Sequence, residues 1–369
     1  MKKRITRNIE WSVLICTIIL IAIGIFAIYS ANASTNQDEF SKQIIWIVIS
    51  IPFFILCIVI DYDLISKISP IMYGISIITL VGVLFTTPIS GATSWFTIGS
   101  SFSIQPSEFA KISVIMFLGL VMSRMKQKGE KEINRPTRLL LLLLIIGVPL
   151  ALIIKQPDYG TATAFTVSFI LMLFVSGLDK RYIIAGVAIV VVAVPLMYLF
   201  VLPEHAKTRI DVFLNPELDP RGAGYNLTQS KLAIGAGELF GMGYLKGNQT
   251  QLGFLYPKST DFIFSVIGEE MGFIVAAVII ILYVVLITKA LSISKTAKDE
   301  LGSIIAAGIA GIFLFHMTEN IGMTIGLLPI TGVPLPLVSY GGSSLLSNLI
   351  MIAILLNISG RRQKAIFME

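Results

Sequence analysis

Cysteine, histidine and charge are all scarce in this chain. Of its 369 residues two are Cys and two are His; 14% are charged, against 55% hydrophobic. Cys16 and Cys57 each lie inside an apolar run, so they read as packing residues and give no disulfide framework. The shortage excludes a zinc spacing and a Cys/His nucleophile pair, and no G-x-S-x-G elbow appears. Any acid–base chemistry falls to carboxylates. No cleavable leader is expected either: the basic "MKKRITRN" runs into a stretch, 11–29, that is long enough to span a membrane and has no small-residue cleavage site.

Apolar sequence is what abounds. A mean hydropathy of +0.85 lies far outside the range of soluble domains and reads as a polytopic membrane protein. Runs of about 20 apolar residues predict ten spans, roughly 9–31, 43–60, 68–86, 106–123, 139–154, 160–177, 182–202, 262–288, 302–325 and 336–359. The expected fold class is therefore all-α, one integral membrane domain over 1–369. With the N-terminus placed in the cytoplasm, inner segments hold 19 of the 28 Lys and Arg residues, from Lys2, Lys3, Arg4 and Arg7 to Arg361, Arg362 and Lys364. Both termini are then cytoplasmic, and a large extracytoplasmic loop, about 203–261, joins spans 7 and 8. The net charge of +6 is explained by topology, without nucleic acid.

In that orientation glycine, proline, serine and stray carboxylates collect on the outer side. Irregular backbone at membrane depth is tolerated where it lines a cavity or is buried in protein, so function is expected at the outer surface. "QPSEFAK" puts Glu108 and Lys111 on one face at a helix start, with Pro106 suited to the first turn and Ser107 or Glu108 able to cap it. The pair is either a self-neutralising helix-start device or an ion pair facing a polar cavity. Asp158 in "KQPDYGTA" either caps a helix beginning near Thr161 or, with Asp261, holds a divalent cation such as Mg²⁺ or Mn²⁺. In the long loop, Lys207, Arg209 and Arg221 are either cations that meet an anionic headgroup or pyrophosphate or ordinary solvated charges, and the amphipathic stretch 225–240 is expected in the interface or re-entering it. His316, Glu319 and Asn320 share one face of span 9, as a proton relay or as a buried hydrogen bond between helices. At least one of Glu269 and Glu270, two turns into span 8, should face the interior.

Five ordered segments, "GATSWF…IQPSEFAK", "QPDYGTA", "GYNLTQSKLAIG", "STDFIFSVIGEEMGF" and "NIGMTIGLLPITGVPLPLVSYGGSS", together resemble the SEDS family (shape, elongation, division and sporulation). These are the RodA/FtsW/SpoVE polytopic proteins of bacterial wall synthesis, and the likeness leans to the RodA-type branch. Ser94 stands where many members carry an arginine, and Lys258 and Ser259 also depart from the family pattern. The resemblance implies a peptidoglycan glycosyltransferase of the bacterial cytoplasmic membrane that polymerises lipid II at the outer face, with inversion and release of undecaprenyl pyrophosphate. It makes Asp261, the aspartate of "TDFIF", the essential catalytic residue. Glu108, Lys111, Asp158, Arg209, Gln229 and Ser339 are the expected substrate-binding residues. The implied partners are lipid II, an undecaprenyl-linked glycan strand and a class B penicillin-binding protein. A lipid II flippase and a non-catalytic scaffold for that transpeptidase remain open; the outward skew of polar groups favours surface chemistry.

Overall fold

The structure, a computed structural model, describes residues 9–34, 38–88, 92–98, 102–129, 131–200, 204–220 and 222–362. Lys2, Lys3, Arg4, Arg7, Arg221 and Lys364 lie outside them. Among the described residues thirteen α-helices follow in order: α1 Trp11–Asn32, α2 Glu39–Val59, α3 Tyr62–Val83, α4 Pro106–Lys128, α5 Pro136–Lys155, α6 Tyr159–Val175, α7 Lys180–Phe200, α8 Glu204–Leu214, α9 Ala223–Ala236, α10 Asn248–Gln251, α11 Ile263–Thr296, α12 Glu300–Ile325 and α13 Gly342–Arg361. One antiparallel hairpin, β1 Phe96–Ile98 with β2 Phe102–Ile104, pairs Phe96 with Ile104 before α4. Among the described residues eight helices (α1 to α5 and α11 to α13) are long and apolar enough to cross a membrane, and α6, at 17 residues, is a shorter apolar helix.

The bundle sorts by burial. In the apolar windows of α4 and α13, 83% of residues are buried, and in α12 72%, whereas in α2 only 17% are. A helix apolar all round belongs at the centre, and one with a bare apolar side faces lipid. So α4, α12 and α13 form the middle, α6 lies on α12, and α11 runs between α12 and α1. Polar side chains on the central helices therefore meet each other and the loops above them.

Several boundaries differ from the sequence expectation, among them the start of α3 at Tyr62 where 68 was expected. The last span was expected from 336, but α13 begins only at Gly342; Ser339 Oγ accepts from Leu335 N (2.8 Å) and donates to Thr260 O (2.6 Å), folding 335–341 onto the 258–261 segment as turns. The eighth span continues to Thr296 and kinks at Gly272, where φ is 77°. A Cβ there would lie 2.3 Å from Gly241 N, so this kink admits the 239–243 loop against the helix. The amphipathic stretch expected at 225–240 is α9, which ends at Ala236, packs on α11 and α12, and buries Ser230 against Ser265 (Oγ to Oγ 2.6 Å).

The two ends of the bundle are unlike. Ion pairs gather at one end: Lys126 with Glu300 (2.7 Å), Arg361 with Asp61 (2.8 Å), and Glu10 with Lys289 (3.1 Å) and Arg362 (3.0 Å). The other end carries the hairpin, α9, α10 and the 326–341 loop, and Asp261 is there.

Candidate active site

Asp261 stands two residues before α11 without closing it. The N-cap of that helix is Phe262 and makes no side-chain bond. The carboxylate faces Gly332 instead: a Cβ at that glycine, whose φ is 74°, would sit 3.3 Å from Oδ2. Burial pushes the Asp261 carboxyl up from its ordinary 3.8 to about 6, opposed by a hydrogen bond with Thr260 and the positive charge of Arg209.

The 331–341 loop is pinned over this carboxylate from several sides. Asn320 Nδ2 on α12 donates to both Asp261 O (2.9 Å) and Val333 O (2.8 Å). Thr331 Oγ1 donates to Glu319 Oε1 (2.8 Å), and Arg209 Nη1 on α8 donates to Thr331 O (3.3 Å). Tyr340 N donates to Ser259 O (2.9 Å), and Gly341 N to Gln43 Oε1 of α2 (3.2 Å). Ser339 lies here, its hydroxyl spent on Thr260 O and Leu335 N.

Beneath the loop runs a buried polar chain. Pro106 opens α4, but neither Ser107 nor Glu108 caps it; the N-cap is Gln105, with no side-chain bond. Glu108 pairs instead with Lys111 (2.8 Å) and accepts from Ser347 Oγ of α13 (2.6 Å). Lys111 Nζ lies 3.4 Å from His316 Nε2, and His316 Nδ1 lies 3.3 Å from Pro334 O. A carbonyl only accepts, so Nδ1 carries the imidazole proton and Nε2 accepts from the ammonium. Glu108 and Lys111 are 1% and 0% exposed, and Lys111 also lines a small, mainly apolar cavity with Phe165, Ser168 and Met172.

Asp158 caps α6 as expected, Oδ1 accepting from Thr161 N (3.1 Å), while Oδ2 accepts from Gln105 Nε2 (3.0 Å). Burial raises its carboxyl, with the Thr161 bonds opposing. Gly160 meets Val333 and Thr331, so the start of α6 also touches the loop. Gln229 is half-buried on α9 and makes no side-chain hydrogen bond among the described residues. Among those residues no three His, Cys, Asp or Glu side chains gather as a metal site. Each Asp158 oxygen accepts one hydrogen bond and keeps a lone pair, and a cation held by Asp158 and Asp261 would need its remaining ligands from substrate phosphates or water.

His316, Glu319 and Asn320 all reach the 331–334 turn, and His316 also bonds across to Lys111 of α4, the buried bond between helices that the sequence allowed. Glu269 and Glu270 both face inward. Glu269 accepts from Gln249 N, Thr250 N and Thr250 Oγ1, and Glu270 from Ser30 Oγ, Leu245 N, Gly247 N and Gln251 Nε2. The role of Thr331 and Gly332 escaped the sequence; the only trace is a glycine set between polar and apolar neighbours in "PITGVP".

The sequence profile of the FtsW/RodA/SpoVE proteins, described as cell cycle protein, matches residues 10–364. The chain is 32% identical to the peptidoglycan glycosyltransferase RodA of Treponema pallidum, covering 98% of this chain and 100% of that one. It is 39% identical to the peptidoglycan glycosyltransferase MrdB of Escherichia coli K12, over 80% and 78% of the two chains. Among solved structures, a chain described as "Structural coordination of polymerization and crosslinking by a peptidoglycan synthase complex" superposes with a TM-score of 0.81 at 25% identity, covering 95% and 97%. The rod shape determining protein RodA of Thermus thermophilus shares the fold, with a TM-score of 0.72 at 24% identity over 96% and 98%.

Proposed function

We propose, for a chain that belongs to the FtsW/RodA/SpoVE family of cell cycle proteins, that Asp261 is the general base of glycan polymerisation. The protein is an integral membrane peptidoglycan glycosyltransferase. Its substrate is lipid II, and it works at the outer face of the bacterial cytoplasmic membrane as a ten-span protein with both termini inside. The gathering of basic side chains at the end opposite Asp261 supports that orientation.

The acceptor's 4-hydroxyl attacks the anomeric carbon of the lipid-linked donor strand, and its proton passes to Asp261 as the undecaprenyl pyrophosphate bond breaks. An α-linked donor and a β-linked product need one displacement with inversion, so one base on the attacking side is enough. The departing pyrophosphate needs charge stabilisation more than a proton. Arg209 fits that role, since it lies near enough to act on Asp261, while Lys111 is enclosed by Glu108 and His316. Glu108 and Lys111 serve substrate through His316 and the Pro334 turn. No step is routed through a metal ion.

The observation that carries this reading is a carboxylate at a helix mouth left uncapped, against bare backbone, with its proton affinity raised to about 6. A class B penicillin-binding protein is the proposed partner, supported by the likeness to a chain of a peptidoglycan synthase complex. The test is glycan polymer from lipid II by purified protein with that partner. Asp261→Asn, well folded, should lose about 10²–10⁴-fold, and near-normal chain formation would remove Asp261 from the chemistry. Lipid translocation without polymer in the unaltered protein would favour a flippase instead.

A further inference from the structure

Glu319 and Asn320 are adjacent on α12, both buried, and both end on the same three-residue turn. Asn320 spends its two amide protons on Asp261 O and Val333 O, which ties the backbone of the base to the far side of the turn. Its Oδ1 is buried and has no partner. A buried acceptor left bare costs free energy, so this amide is held for its donors. Glu319 accepts from the Thr331 hydroxyl on the near side, and Thr331 O receives Arg209. Between the two anchors lies Gly332, against the carboxylate.

We propose that Glu319 and Asn320 are positioning residues. They make the Thr331–Val333 turn a common mount that fixes Asp261 and Arg209 at one separation, base on one side of the reacting centre and cation on the other. Asn320 sets the base, and Glu319 sets the cation through Thr331. The inference rests on Asp261 and Arg209 having the roles given above. Misplacement by about 1 Å can cost about 10²-fold in rate, so slack in the mount is felt in kcat.

The experiment measures kcat and KM for lipid II with the partner supplied, alongside thermal unfolding in detergent. Asn320→Ala should lower kcat about 10–10²-fold with KM nearly unchanged. Thr331→Ser and Glu319→Gln, which keep the donor and the acceptor, should retain most activity. Thr331→Val and Glu319→Ala should each lose it, and their double variant should be no worse than either, since both break one bond. If Asn320→Ala is not recovered folded, the Thr331 and Glu319 variants decide. Full kcat in folded Asn320→Ala overturns the proposal, as do additive losses in the double variant or a Glu319→Gln as damaged as Glu319→Ala. An active Asp261→Asn would instead sink the reading beneath it.

Discussion

Asp158 and Asp261 both stand at the mouth of an apolar helix, and only Asp158 gives its carboxylate to the helix. The difference shows in what an amide replacement does. Asn caps about as well as Asp, so Asp158→Asn should keep α6 stable and leave any Mg²⁺ requirement of polymerisation unmoved. A raised cation requirement in that variant would make Asp158 a ligand. At Asp261 the folded protein holds the proton more tightly than the unfolded chain, about 6 against 3.8. Its contribution to stability is fully present below about 3.8 and is lost as pH rises through about 6. Asp261→Asn should therefore be more stable than the unaltered protein at pH 7.5, by about 1–3 kcal/mol after discounting for its half-buried side chain, and unfold at a higher temperature. The gap should close on acidification towards pH 4 in a thermal scan in detergent. With Asp261 as the proposed base, kcat/KM for polymerisation should rise with pH through an apparent pKa near 6, read from its pH profile. Glu108 and Lys111 obey different arithmetic because neither has solvent to fall back on. Breaking the pair from one side, Glu108→Gln or Lys111→Met, should cost about 3–5 kcal/mol, and the double change less than either. Equal damage from all three in unfolding measurements would show that the charges do not need each other.

At the scale of elements, the helices were legible because a run of about 20 apolar residues has few alternatives in lipid. Their ends were less so. Leu337 and Val338 read as the start of a span, yet Ser339 and Tyr340 bond to the backbone of 259–260, a tertiary approach that no local pattern encodes. Asp261 stood out in the sequence as a carboxylate before an apolar run. The Thr331–Val333 turn did not, since its importance lies in what reaches it from α8 and α12. Gly272 is the element-scale test of such approaches. Gly272→Ala meets both a left-handed φ and the Gly241 backbone, and should destabilise by at least about 1–3 kcal/mol in thermal unfolding. A neutral result would mean that α11 can straighten without the loop.

The whole molecule has one polar end with irregular backbone and one end of ion pairs. Cys16 and Cys57 are buried, so the native thiols give little background for labelling. Cysteines introduced at the exposed positions Asn248 and Lys128 should report opposite sides. An impermeant maleimide on intact cells should modify the first and spare the second. Labelling of the Lys128 position from outside would invert the orientation and take Asp261 to the wrong side for wall synthesis.

The pairing of Glu269 and Glu270 with the 245–251 segment bears on how such a protein is made. Two carboxylates in the second turn of α11 would each weigh against membrane insertion by about 2.5–3.5 kcal/mol. Their donors Leu245, Gly247, Gln249, Thr250 and Gln251 are translated about twenty residues earlier and so emerge first. Were those bonds to form before α11 leaves the translocon, the two acids would enter the membrane already paired. Shortening the 245–251 segment should produce chains that stall half-inserted and are degraded before any question of catalysis arises.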